Sequence, residues 1–259
     1  IAVSGIQTVY LIMTGLYLIG VVLVAIMRPT ETAVPVNKGS LEYLKEGINY
    51  VRANRIVMSL LLLTLFTVLL SRPYMALLPA FAKDVQVVEL GDYQWLTGLP
   101  LLGGVPALLM NSSFRLGLLT SVSGVGAVIG SFMVASLRSK NRGIIYILVI
   151  MLFGLSLMGY ASTSSFTVAL FMMIAVGLGE AGRTALSNTL VQSHTDNEHR
   201  GRVMSIYLME FGFTSLSVFA VSLLASFTGV QWAVGVSAFL LIPVAFYFLM
   251  FVPNLRRLQ

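Results

Sequence analysis

The residues best suited to do chemistry are charged side chains inside long apolar runs. Glu180 is the fifteenth residue of an apolar run over residues 166–192, and Arg183 follows three positions later. Residues three apart lie on one face of a helix, so these side chains can pair. A charge at the centre of a membrane span costs about 2.5–3.5 kcal/mol on insertion scales, and such charges are usually functional. With Asn188 further along this face, we expect a site for substrate or a proton; the alternative is a pair that only neutralises charge.

Two other apolar runs carry one internal charge each. Arg72 lies in the outer part of the run over residues 56–81 and precedes Pro73, which predicts a kink. Its side chain either reaches out to the membrane interface or faces the interior. Glu210 is the eighth residue of the run over residues 203–227, and we expect it to reach the bundle interior. Both residues are therefore further candidates for binding substrate or a proton.

Other catalytic chemistry finds no support in the residue types. The chain has no cysteine, which excludes thiolate nucleophiles and thiolate metal sites. His194 and His199 lie five apart in a charged loop without further ligands, so no metal site is predicted. The G-x-G-x-x-G pattern at residues 177–182 lies in mid-helix and not after a strand, so its glycines, like the small residues of segment 117–135, are expected to allow close helix packing. No nucleotide-binding lysine motif occurs. We expect no metal, no cofactor and no enzymatic activity.

The elements that hold these residues are membrane spans. Hydrophobic residues make up 57% of the chain and charged residues only 10%, against about 25% in soluble domains. Seven apolar runs reach the roughly 20 residues that a bilayer requires. They cover about residues 6–27, 56–81, 116–137, 143–161, 166–192, 203–227 and 233–253. The predicted fold class is therefore an all-α integral membrane protein with seven transmembrane helices.

The loop charges predict the orientation of these spans. Twelve of the sixteen Lys and Arg residues fall on one side if the seven spans alternate. They are Arg28, Lys38, Lys45, Arg52, Arg55, Arg138, Lys140, Arg142, Arg200, Arg202, Arg256 and Arg257. The other side has only Lys83, so the first side and the C-terminus are predicted to be cytoplasmic. This distribution explains the net charge of +6 through lipid topology, and we expect no nucleic acid partner.

Two segments between the spans differ from the spans in their residue pattern. Residues 28–55 form the predicted cytoplasmic linker, within which residues 40–54 show the spacing of an amphipathic surface helix. Residues 86–113 are the predicted external insert. Their apolar stretch over residues 95–110 is interpreted as a hairpin or interfacial segment, because an eighth span would turn the later basic loops outward.

The loop over residues 194–202 combines opposite charges. Asp196 and Glu198 are followed closely by Arg200 and Arg202. We expect these four residues to form ion pairs with the loop that contains Arg138, in one conformational state only. Such pairs are worth about 0–1 kcal/mol each, which is enough to bias a balanced equilibrium.

Residues 196–205, DNEHRGRVMS, resemble a loop pattern of the major facilitator superfamily, in the branch that contains the enterobactin exporter and macrolide efflux proteins. Residues 188–192 and 72–84 are similar to that branch as well. The resemblance implies that residues 1–27 are the sixth helix of a twelve-helix fold and that residues 56–259 form its C-terminal six-helix bundle. It also implies a bacterial cytoplasmic membrane, and a missing N-terminal half as partner. Helices seven and ten of that fold line the central cavity.

The leading functional hypothesis is secondary active transport. The resemblance implies an antiporter that exports small amphipathic molecules, such as drugs or siderophores, by alternating access. The alternative is a non-transporting scaffold or receptor with a transporter-like bundle. A scaffold needs no polar face at the membrane midplane, so Glu180 and Arg183 favour the transporter.

Overall fold

The computed structural model describes residues 5–26, 40–85, 105–137, 141–256 and 258. In chain order the helices are α1 (Gly5–Ile26), α2 (Ser40–Ala53), α3 (Arg55–Ser71), α4 (Pro73–Ala80), a π-helical turn (Phe81–Val85), α5 (Val105–Leu109), α6 (Ser112–Ser136), α7 (Arg142–Ser162), α8 (Phe166–Ser193), α9 (Arg200–Thr228), α10 (Val230–Phe251) and α11 (Pro253–Arg256). The expectations for residues 28–39, for most of the external insert and for Arg138 lie outside the described residues.

Within the described part, six helical segments are long and apolar enough to cross a membrane. They are Arg55–Val85, Ser112–Ser136, Arg142–Ser162, Phe166–Ser193, Arg200–Thr228 and Val230–Phe251. These confirm six of the seven predicted spans and the all-α membrane class. The remaining one, α1, contributes the apolar stretch Tyr10–Ile26. Its 17 residues extend about 26 Å, somewhat less than the roughly 30 Å hydrocarbon core.

The first of these six spans is interrupted where the prolines predict it. Asn54 caps α3, since its side-chain oxygen accepts hydrogen bonds from the backbone N–H groups of Ile56 and Val57 at 3.1 and 3.3 Å. Arg72 separates α3 from α4 and keeps helical dihedral angles, so the chain continues along the helical path. Pro73 begins α4, because proline has no N–H for the preceding turn. Arg72 and Tyr74, on either side of Pro73, contact α8.

Glycines hold α6 and α8 in close contact. A Cβ atom on Gly126 would overlap the carbonyl oxygen of Ile174, and one on Gly177 would overlap the carbonyl oxygen of Ser123. Such small residues let two helix backbones approach each other within a membrane. The predicted packing role of the small-residue segment and of the 177–182 glycines is therefore confirmed, and α8 is fixed against α6 along the part that carries Glu180.

Basic residues gather at one end of the bundle. The start of α7 meets the end of the chain, where the N–H of Gly143 donates to the carbonyl of Leu258 at 3.4 Å. The described basic residues at this end are Lys45, Arg52, Arg55, Arg142, Arg200, Arg202 and Arg256. However, α6 begins at Ser112, earlier than the predicted residue 116, because Asn111 caps it. Arg115 consequently joins Lys83 at the opposite end, which the sequence analysis had missed.

The chain divides into two compact units, Ile1–Ser40 and Leu41–Gln259. The first contains α1. The second contains the six spans together with nearly all of α2, so the amphipathic helix belongs to the bundle. Gly47 is buried against α9, where an added Cβ would lie 3.2 Å from the Cβ of Arg202. This helix therefore packs directly on the bundle.

Candidate functional site

Glu180 is held by two residues on either side of Pro73. The hydroxyl of Tyr74 donates to Oε2 of Glu180 at 2.6 Å, and Nη1 of Arg72 lies 3.2 Å from Oε1. Tyr74 is buried, and the side chains of Arg72 and Glu180 are 23% and 15% exposed. Both carboxylate oxygens of Glu180 therefore have a partner from the neighbouring span.

The expected pairing of Glu180 with Arg183 is wrong. Arg183 forms no ion pair with Glu180; its side chain is buried between α8 and α9, facing Tyr207 and Glu210. Residues three apart on a helix differ by about 60° in direction, and helices pack on both sides of α8 here. Glu180 contacts Arg72 and Tyr74, whereas Arg183 faces Tyr207 and Glu210. The two charges of α8 therefore belong to two different clusters.

Arg72 does not simply extend to the membrane interface. Besides its ion pair with Glu180, its guanidinium lies 5.7 Å from the ring centre of Phe211, in cation–π geometry. Its Nη1 also contacts the sulfur of Met75 at 3.7 Å. The interior orientation, one of the two alternatives from the sequence, is the one adopted.

An open groove of about 710 Å³ lies between α4, α6 and α8. Its lining is small and weakly polar, and Glu180 is the charged residue among the described side chains that form it. The lining residues are Met75, Thr120, Ser123, Gly124, Ala127, Ser131, Gly177, Glu180, Ala181, Thr184, Ala185, Asn188 and Thr189. This volume lies within the range of sites for small molecules, about 300–1,000 Å³. The predicted polar face of α8, including Asn188, thus lies along a groove.

A family model described as Major Facilitator Superfamily matches residues 101–258, more than half of the chain. This chain belongs to the major facilitator superfamily. Members of the superfamily are transporters, and six spans correspond to one half of its fold. The matched region of this facilitator contains Glu180, Arg183, Asn188 and Glu210, whereas Arg72 precedes it. No curated protein matches the chain.

Glu210 of this facilitator is buried, as the sequence analysis expected. Its side chain is 6% exposed and lines a small internal cavity with Arg183 and Tyr207. One turn earlier, the hydroxyl of Tyr207 shares a 2.9 Å hydrogen bond with the hydroxyl of Ser187. Arg183 and Glu210 therefore form a second charged cluster next to the groove, and Thr184 lines both cavities.

The charged loop between α8 and α9 contacts α2. Arg202 forms a 3.0 Å ion pair with Glu46, and its guanidinium lies 5.0 Å from the ring centre of Tyr43. The hydroxyl of Tyr50 donates to Asp196 at 3.1 Å and accepts from its backbone N–H at the same distance.

The expected pairing of this loop with the 138–142 loop is not observed in the described residues. Arg138 lies outside them, and Arg142 donates to the carbonyl of Leu137. Glu198 and Arg200 are exposed. The reason for the different partner is that α2 packs against α9 through Gly47 and occupies the surface beside the loop.

Tyr74, Thr120 and Ser123 were missed as site residues. Tyr74 stood within the segment that resembles the family, yet its spacing from Arg72 carried no sign of a contact with α8. Thr120 and Ser123 were recognised only as small packing residues. A proline break beside a helix rich in small residues is the sequence pattern that could have indicated these three residues.

Proposed function

We propose that this facilitator is the C-terminal half of a secondary active transporter that exports small amphipathic molecules, of the drug or siderophore type, by alternating access. The observation that carries the proposal is the groove between α4, α6 and α8 with the carboxylate of Glu180 in its wall. Export, rather than import, is supported by the resemblance of residues 196–205 to the branch of exporters.

The lining of the groove fits an amphipathic substrate. Alanine, glycine and methionine side chains offer apolar contact, and the hydroxyls of Thr120 and Ser123 with the amide of Asn188 offer hydrogen bonds. The carboxylate of Glu180 adds one negative charge, which favours a substrate with a cationic or hydrogen-bond-donating group. Such a group would compete with Arg72 for the same carboxylate oxygen.

The helix contacts around the groove suit a moving wall. α6 and α8 meet through glycines and backbone carbonyls and so form one wall of the groove, which can shift against the span that carries Arg72 when the contacts of Glu180 are broken. We place the basic end of the bundle and the C-terminus in the cytoplasm of a bacterial cell, with the bilayer as the surrounding partner. An N-terminal half of the same chain would form the opposite wall, as in a two-half transporter.

The test uses the complete transporter reconstituted in lipid vesicles, with ethidium as an amphipathic cationic probe and a catechol siderophore as a second probe. We expect Glu180→Gln to insert and fold normally and to lose transport of the probe that the wild type moves. Glu198→Gln serves as the matched control, because it is the same change at an exposed position. Normal transport by well-folded Glu180→Gln would contradict the proposed role.

The scaffold alternative makes a different prediction. If Arg72 and Glu180 only neutralise each other, then Arg72→Gln combined with Glu180→Gln should leave every function of the folded protein unchanged. A wild-type protein that inserts correctly and moves neither probe nor any member of a wider panel of amphipathic molecules would favour the scaffold.

A further inference from the structure

A second charged cluster lies behind the groove and has a different composition. Glu210 of α9 is 6% exposed and Arg183 of α8 is 2% exposed. Within the described part of the chain, the carboxylate of Glu210 forms neither a hydrogen bond nor an ion pair. The Nε atom of Arg183 is buried without a hydrogen-bond partner. Both side chains line the same small cavity, yet neither is fully paired within the described residues.

The space between these groups is very small. The cavity has a volume of about 10 Å³, and its polar lining comes from Arg72, Arg183, Thr184, Tyr207 and Glu210. One water molecule needs roughly 10–15 Å³, so an organic substrate has no room here. A proton needs no such room, because it is held on a carboxylate oxygen. The small volume therefore distinguishes this cluster from the neighbouring groove of about 710 Å³, with which it shares the lining residue Thr184.

The charged and titratable groups around Glu210 come from α7, α8, α9 and the break between α3 and α4, while α10, which also packs against α9, contributes no charged side chain. Arg183 faces it from α8, Arg72 from the break between α3 and α4, Tyr207 from its own helix, and Tyr146 from α7. Both tyrosine hydroxyls already share hydrogen bonds of 2.9 Å: Tyr207 with Ser187, and Tyr146 with Thr64. Among these groups, the arginines are the ones whose partners can change.

The charges of the two clusters balance. Arg72 and Arg183 carry two positive charges, and Glu180 and Glu210 carry two negative charges. If Glu210 takes up a proton, Arg183 loses its nearby negative charge while it remains buried. The other carboxylate within reach along the same helix is Glu180, three residues earlier, whose oxygens are held by Arg72 and Tyr74.

We propose that Glu210 is a proton-binding site separate from the substrate groove. When Glu210 is protonated, Arg183 turns from Glu210 towards Glu180 and so couples proton binding to the groove. A hydronium ion supplies the proton, an O–H bond forms on the carboxylate of Glu210, and water remains. Arg183 then competes with Arg72 for Glu180, which loosens the contact between α8 and the span that carries Arg72. Release of the proton restores the arrangement of the structure. This inference rests on the proposed transport function.

The first experiment measures the proton directly. Infrared difference spectra of the complete transporter in lipid are recorded between acidic and alkaline buffer. We expect a protonated-carboxyl C=O band that is lost in Glu210→Gln and kept in both Glu180→Gln and the exposed control Glu198→Gln. Loss of the band in Glu180→Gln with its persistence in Glu210→Gln would overturn the proposal, as would the absence of a titrating band in the wild type.

The second experiment separates proton coupling from substrate binding, with ethidium as the probe in vesicles. We expect Glu210→Gln to exchange ethidium across the membrane at equal pH and to lose accumulation driven by a pH gradient. We expect Glu180→Gln to lose both activities. Because Glu210→Gln leaves Arg183 without a buried counter-charge, the neutral double variant Glu210→Gln/Arg183→Gln is measured as well, with the same expectation.

The outcomes distinguish this inference from the function on which it rests. Gradient-driven accumulation by either folded Glu210 variant at the wild-type level would overturn the proton site. If the wild type moved no probe while the infrared band of Glu210 still titrated, the proton site would stand and the proposed transport function would fail.

Discussion

At Glu180, the carboxylate is bound from one side only. Arg72 and Tyr74 reach it from the neighbouring span, while the groove lies open on the side of α6. An ion pair of this kind inside a membrane protein constrains the position of one helix relative to another. It also leaves a site at which an incoming cationic group can replace Arg72. The residue-scale predictions follow from the cost of breaking this contact.

Removing one partner of this pair should cost more than removing both. Arg72→Ala leaves the carboxylate of Glu180 without its cation, and breaking a buried ion pair costs about 3–5 kcal/mol. We expect the low end here, because both side chains are partly exposed. Arg72→Ala/Glu180→Ala should be less destabilising than Arg72→Ala. Denaturant unfolding in detergent measures both, and equal losses for the single and double variants would contradict the coupling.

At the scale of the elements, α6 and α8 behave as one packed pair. Gly126 and Gly177 let the backbones touch, and the proline break between α3 and α4 turns Arg72 and Tyr74 towards the same part of α8. The groove arises between these three elements because α6 contributes only small side chains to it. The packing of α2 on α9 is a separate contact at the basic end.

Adding one methyl group to the α6–α8 contact should destabilise the bundle. In Gly126→Ala the new Cβ would overlap the backbone of Ile174, so the helices must move apart, which costs about 1–3 kcal/mol for overpacking. Gly117→Ala is the control in the same helix, since a Cβ there meets nothing within 4 Å. We expect it to be neutral or to stabilise by up to about 1 kcal/mol. Thermal unfolding compares the two; equal melting temperatures would contradict the contact.

Loss of Arg202 should loosen α2. Arg202→Ala removes the ion pair with Glu46 and the cation–π contact with Tyr43, together worth about 1–2 kcal/mol at a surface. Arg200→Ala is the control, because Arg200 is exposed. We expect hydrogen exchange of residues 42–53 to become faster, by a factor on the order of 5–30, in Arg202→Ala only. Equal exchange in both variants would show that Gly47 and its apolar neighbours hold α2 alone.

At the scale of the whole molecule, the charge distribution separates the two ends. Seven of the described basic residues lie at the end that contains α2, the α8–α9 loop and α11, while Lys83 and Arg115 lie at the other. Positively charged loops remain in the cytoplasm during insertion, so the asymmetry sets the orientation of every span. This orientation determines which side of the membrane each end of the groove faces.

Labelling of single cysteines tests the orientation, since the chain has none of its own. We expect Asn197→Cys, in the α8–α9 loop, to react with a membrane-impermeant maleimide only after the cells are opened. Ser164→Cys, exposed between α7 and α8, should react in intact cells. The reverse pattern would invert the topology and with it the proposed direction of export.

The membrane class, six of the spans, the helix boundary at Pro73 and the burial of Glu210 could be predicted from the chain alone. Each depends on a local property: the length of an apolar run, the missing N–H of proline, or the cost of exposing a charge to lipid. The glycine contact between α6 and α8 was predictable for the same reason, because small residues in a span let helix backbones approach each other closely.

The partners of the charges were not predictable in this way. Arg183 was the nearest cation to Glu180 along the chain, but Arg72, more than a hundred residues away, is the one that binds it. Asp196 and Arg202 likewise contact α2. Several partners lie within reach of each long side chain, and the choice among them depends on helix rotation and on the break at Pro73. Those are set when all the helices pack together, so the division into a groove beside Glu180 and a buried Glu210 cluster exists only in the folded bundle.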